Sequence, residues 1–89
     1  MKATRQLERI VKGFSNHRRI EIMQLLNTLP ELSLGEIAEQ LNINLKTAGE
    51  HVRRLVLAGL VMKRNEGSFV RHALTQQGKI ILKFLRTLE

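Results

Sequence analysis

Two helix-start signals stand eleven residues apart in the middle of this chain, and the space between them admits only one short helix and a tight turn. The first is Ser33-Leu34-Gly35-Glu36, a capping box in which serine and glutamate side chains each satisfy a backbone donor of the helix they open. Leu32 and Ile37 flank it at the spacing of a hydrophobic staple. The second is Asn44, a good N-cap, preceded by Asn42-Ile43, which interrupts the apolar pattern of the short helix. Upstream, Pro30 stops the preceding helix, because proline in a helix interior costs about 3 kcal/mol and constrains Leu29 away from helical geometry. Two helices therefore meet across a tight turn.

The helix from Leu45 to about Ala58 separates oil from charge. Leu45, Ala48, Val52, Leu55 and Val56 cover about 100° of its circumference, while Lys46, Glu50, Arg53, Arg54 and Leu57 take the opposite side. Gly59 ends it in a position that favours left-handed backbone, and Leu60 begins a strand. That strand, Leu60 to Arg64, meets Phe69 to Leu74 across Asn65-Glu66-Gly67-Ser68, where glycine supplies the positive φ of a tight hairpin.

Helices also fill both ends. Ala3, Leu7, Ile10, Val11 and Phe14 share one face of a first helix that ends at Gly13 or at Ser15-Asn16. A second helix starts from a Ser15 or Asn16 cap and runs to about Thr28. Its apolar residues Ile20, Ile22, Met23, Leu25, Leu26 and Leu29 spread around most of it, which marks the central, most buried helix. Thr75 caps a last helix, on which Ile80, Ile81, Phe84, Leu85 and Leu88 form a stripe about 140° wide, extended by Leu82.

Composition narrows the function classes. The chain has 89 residues and no internal repeat or Pro/Gly-rich linker, so residues 1–89 are expected to form one domain. A chain of this size buries roughly 60 to 65 percent of its unfolded surface and has little stability to spare, so a subunit partner helps. With no cysteine there is no disulfide framework, thiolate metal site or cysteine nucleophile, which suits a reducing cytosol. The longest apolar run, Leu55 to Met62, is far short of a membrane span, and MKATRQLERIVK lacks a signal-peptide core. A cytoplasmic protein without a membrane partner is expected. His17, His51 and His72 are scattered and lack close acidic companions, so no metal or other cofactor is expected. No serine-histidine-aspartate order, phosphate-cradling loop or carboxylate pair points to an enzyme.

Charge gives the positive indication. The chain carries +7 from 15 Lys and Arg against 8 acids, an excess that favours polyanions. Its distribution matters more. Residues 31–42 hold Glu31, Glu36 and Glu39 and no cation, whereas residues 43–74 hold Lys46, Arg53, Arg54, Lys63, Arg64 and Arg71 against Glu50 and Glu66. A short helix, a turn and a second helix with a cationic outer face is what a helix-turn-helix requires, since a protruding helix fits the major groove of B-DNA. The hairpin beside it makes a mainly α winged helix-turn-helix, with five helices and a two-stranded β wing whose Lys63, Arg64 and Arg71 can reach phosphate or the minor groove.

From Asn16 onward the motifs resemble, in order, those of the ArsR-type winged-helix transcriptional regulators, which are related to the MarR-type winged helices. HRRIEIMQLL is similar to their second helix, LSLGEIAEQLNINLKTAGEHVRRLVLAGLV to their helix-turn-helix, and RNEGSFVRHAL to their wing. The resemblance covers residues 16–74 and implies a homodimer that binds pseudo-palindromic double-stranded DNA and represses transcription. Where the metal-sensing members carry a cysteine pair, this chain has Leu32, Ser33, Leu34 and Gly35. Family recognition helices often carry serine and histidine where Gly49 and Glu50 stand, so the resemblance transfers no base preference.

The expected groove-facing residues are Asn44, Lys46, Thr47, Glu50, Arg53 and Arg54, and the expected wing contacts are Lys63, Arg64, Ser68 and Arg71. Lys46 or Arg53 suits guanine and Glu50 the cytosine amino group, while Gly49 would let backbone approach the DNA. Glu50 equally suits a helical ion pair with Lys46 or Arg54. The terminal helices, about residues 2–13 and 75–88, carry more apolar surface than a monomer core needs, so Leu7, Ile10, Val11, Phe14, Ile81, Phe84, Leu85 and Leu88 are expected at a dimer interface. Two other functions suit the same fold: a protein-interaction module and a sequence-indifferent architectural DNA binder.

Overall fold

The structure, a computed structural model, describes residues 2–89. Five helices and one hairpin follow in the order α1 (Thr4–Phe14), α2 (His17–Thr28), α3 (Leu34–Leu41), α4 (Leu45–Leu57), β1 (Val61–Glu66), β2 (Phe69–Leu74) and α5 (Gln76–Arg86). Each cap foreseen from the sequence is made. Asn16 Oδ1 accepts from the Arg18 and Arg19 amides at 2.9 and 3.3 Å, opening α2. The Ser33–Glu36 box closes in both directions at 3.2 and 2.9 Å. Asn42, at φ 53°, takes the left-handed turn that ends α3. Asn44 Oδ1 then accepts from Lys46 and Thr47 at 2.7 and 3.3 Å and starts α4.

The core gathers one face from each element: Ile22, Met23 and Leu26 of α2, Ile37 of α3, Val52 and Leu55 of α4, Leu60, Val61 and Leu74 at the hairpin base, and Leu82 of α5. Ala38 and Ala48 are buried as well. Helix α1 ends at Ser15, the second of its two expected stops, and Gly13 is buried within it, so close to α4 that a side chain there would overlap Ala58 Cβ. Gly78 is similarly constrained, since a Cβ would run into the Leu60 carbonyl oxygen. Thr75 reinforces that junction: its hydroxyl donates to Gly59 O at 2.6 Å and accepts from the Gly78 amide at 3.0 Å.

The wing differs from expectation in length and register. Asn65 pairs with Val70 and Glu66 with Phe69, so the first strand runs two residues further, the second keeps its expected bounds, and only Gly67-Ser68 remain in the turn. Positive φ at Gly67, the first central position, is the requirement of a type II′ hairpin. Leu32 adds an isolated bridge to His72 on the far side of β2, a pairing that the sequence did not announce. The buried His72 side chain completes it, with Nδ1 lying 2.9 Å from the Leu32 carbonyl oxygen.

Candidate nucleic-acid interface

The outward face of α4 arises from its anchoring. Ala48, Val52 and Leu55 are buried, which turns Lys46, Thr47, Glu50, Arg53 and Arg54 to solvent together with the cap Asn44. Asn44 spends its side-chain oxygen on the cap, leaving its amide nitrogen for other partners. Leu45, expected on the apolar face, is 56 % exposed instead. It stands at the tip of the helix, where the core no longer reaches, and presents an apolar group of the kind that meets a thymine methyl. Gly49 also departs from expectation. A Cβ there would lie 3.4 Å from Leu34 Cδ2, so the missing side chain faces α3 rather than the outer surface.

Glu50 organises the cations beside it. Its Oε1 accepts from Arg53 Nη2 at 2.9 Å and from Arg54 Nε at 3.1 Å. The hydrogen bonds from Arg53 and then Arg54 lower its pKa to about 2, so it is ionised at any physiological pH. Lys46 has no carboxylate partner among the described residues. One turn along α4, His51 Nδ1 accepts from Arg19 Nε at 3.3 Å, and Arg19 also donates to the Lys12 and Gly13 carbonyls at the end of α1. Burial and then the Arg19 charge push the His51 pKa down, with Glu50 acting the other way. Beyond Arg54 the basic surface continues across a shallow cleft lined by Arg9, Lys12 and Leu57. Nothing in the spacing of those residues signals that α1 lies there.

On the wing, the register separates the expected contacts. Arg64 and Arg71 are directly opposed, while Lys63 pairs with His72 and so lies on the other face of the ribbon. Arg64 is held by Glu31 at 2.7 Å and by Glu66 at 3.2 Å. Arg71 donates to the Glu31 carbonyl at 3.2 Å, lies 4.0 Å from Glu36 and sits 5.5 Å from the centre of the Phe69 ring. Arg71 therefore fastens the base of the wing. Lys63 and Ser68 are exposed, and Lys63 has no acidic partner among the described residues.

The terminal helices divide their apolar residues between core and surface. Ile10, Phe14 and Ile81 pack against the core, and Leu85 is half-buried. Leu7, Val11, Phe84 and Leu88 are exposed, as is Ile80, which continues the Phe84–Leu88 stripe.

A family model described as a helix-turn-helix domain matches residues 14–64, more than half of the chain. The chain belongs to this ArsR-type helix-turn-helix family. The winged helix is similar to the solution structure of a homodimeric winged helix-turn-helix DNA-binding domain, fragment 1–100, from Mycobacterium bovis, itself a possible ArsR-family transcriptional regulator. The identity is 25 %, the TM-score 0.85, and the match covers 99 % of this winged helix and 87 % of that chain. It is also similar to HlyU from Vibrio cholerae, at 28 % identity and TM-score 0.82 over 96 % of this winged helix and 92 % of that chain. The transcriptional regulator HlyU from Vibrio vulnificus gives 29 % identity and TM-score 0.77 over 96 % and 88 %. No curated protein matches the winged helix by sequence. The family and fold are those of transcription regulators.

Proposed function

We propose that this chain acts as a homodimeric, DNA-binding repressor that reads a pseudo-palindromic operator. The observation that carries the proposal is the division of α4, whose Ala48, Val52 and Leu55 anchor the helix while Asn44, Lys46, Thr47, Glu50, Arg53 and Arg54 stand on its outer side. A helix so mounted fits the major groove, with Lys46, Arg53 and Arg54 at guanine or phosphate and Glu50 at a cytosine amino group. Lys63, Arg64 and Ser68 reach the flanking backbone from the wing, and Arg71 holds the wing in place. The homodimeric relative from Mycobacterium bovis supports pairing as such, and the apolar residues left exposed on the terminal helices point to the ends of the chain as the contact. The exposed Leu7, Val11, Ile80, Phe84 and Leu88 form that contact, with Ile10, Phe14, Ile81 and Leu85 beneath them. A two-fold dimer sets its recognition helices one DNA turn apart, about 34 Å, so each half-site is read once. The same reading has the protein act in the cytoplasm, and no helix among the described residues is long and apolar enough to cross a membrane.

Selection of bound sequences from a random DNA library, followed by anisotropy on the recovered duplex, tests the proposal. Palindromic sites are expected, and Arg53→Ala and Arg64→Ala each weaken binding about fivefold or more. Unchanged affinity in both variants would overturn it.

A further inference from the structure

Glu31 occupies left-handed backbone, with φ at 71°, a conformation that costs a non-glycine residue energy and persists only where neighbours fix it. Three bonds do so. Its amide donates to the His72 carbonyl at 2.9 Å, its carbonyl accepts from Arg71 at 3.2 Å, and its Oε2 accepts from Arg64 Nη2 at 2.7 Å. The first two belong to the backbone and are open to any residue, glycine with less strain. Only the third needs the carboxylate.

That carboxylate meets a guanidinium at the DNA-facing wing. The two side chains are 42 % and 57 % exposed, so the pair stands in solvent rather than in the core. It offsets the repulsion between Arg64 and Arg71, which face each other directly across the strands. A carboxylate and a phosphate offer the guanidinium the same forked oxygens, and with Nη1 already 3.2 Å from Glu66 and Nη2 on Glu31, Arg64 gains a forked grip on a phosphate by leaving Glu31, its shorter contact.

We propose that Glu31 is a specificity-determining positioning residue, an intramolecular competitor that withholds Arg64 from DNA until the recognition helix is seated. The proposal rests on the DNA-binding function given above. On a random duplex, no base contacts hold a phosphate opposite the wing, and Arg64 stays with Glu31. On a selected site, α4 fixes the register and the exchange goes forward. The carboxylate therefore weakens sequence-independent binding more than site-specific binding.

The test compares the full chain with Glu31→Gln, Arg64→Gln and the double variant, by anisotropy on the selected duplex and on a random one. Glu31→Gly, which relaxes the left-handed backbone, gives a second route to losing the carboxylate, and circular dichroism verifies the fold. Both Glu31 variants are expected to bind random duplex about two- to fivefold tighter, the strength of an exposed ion pair. Their log K falls more steeply with log salt, by up to about 0.9, the slope of one added phosphate contact. The gain on the selected duplex is smaller, and in the Arg64→Gln background it disappears. Random-duplex affinity that stays level or falls, or a gain that survives loss of Arg64, overturns the inference while the proposed function stands. Wild-type protein that binds no duplex overturns both.

Discussion

Several residues here are defined by what their neighbours leave room for. Gly13 is one, since a methyl group at that position overlaps Ala58 Cβ, while the next nearest atoms, Ala58 Cα and Arg54 O, stand 3.7 and 3.8 Å away. Gly13→Ala should therefore destabilise the fold by about 1 to 3 kcal/mol despite the better helix propensity of alanine. Adding Ala58→Gly should recover most of that loss, and thermal melts of the two single variants and the double settle the point. His51 is another, wedged beside Arg19, with Arg18 and His17 nearby on α2 and Glu50 on its own helix. Its folded pKa lies below the ordinary 6.5, so as pH falls through 6.5 the unfolded chain takes up a proton that the folded chain resists, and stability declines. His51→Gln keeps an acceptor for Arg19 but does not titrate. Its melting temperature should fall less than that of the wild type between about pH 7.5 and 5.5, a range above the titration of the carboxylates.

At the scale of elements, local chemistry decides the helices. Ser33→Ala removes the acceptor for the Glu36 amide and should cost about 1 kcal/mol, measured by urea denaturation, with the loss appearing as a lower midpoint at unchanged slope. Such caps are legible in a sequence because both partners lie within three residues. The helix-turn-helix and the outer face of α4 follow from them and from apolar spacing. Pairings between distant residues are not legible in this way. The Leu32 bridge to His72 joins residues forty apart, and no local pattern encodes it. The hairpin illustrates the cost of a small error. A four-residue link would set Arg64 opposite Phe69, whereas the two-residue turn sets it opposite Arg71 and brings both to Glu31. Which wing cations stand opposite one another, and which are already engaged, depends on that shift of register. Leu45 and Gly49 depart from the expected faces for a related reason: helical spacing assigns a face but not how far the neighbouring elements extend along it.

At the scale of the whole molecule, the proposed pairing runs through the exposed apolar stripe of the last helix. Phe84→Glu sets a charge in the middle of Ile80, Phe84 and Leu88 and leaves the buried Leu82 untouched, so it should yield a folded monomer. Sedimentation velocity would record the change of mass, and the same variant should lose most of its affinity for a palindromic duplex while keeping weak binding to a half-site. The junction at Gly78 bears on how such an assembly transmits movement. With no space between that glycine and the Leu60 carbonyl, and with Thr75 bonded to Gly59, the last helix and the root of the hairpin form a single lever without a pivot. In the proposed dimer, joined through the last helix, a change in tilt between the protomers would not be absorbed there. It would emerge at the far ends as a wider or narrower gap between the wings, making the span of the operator a gauge of how the subunits lean together.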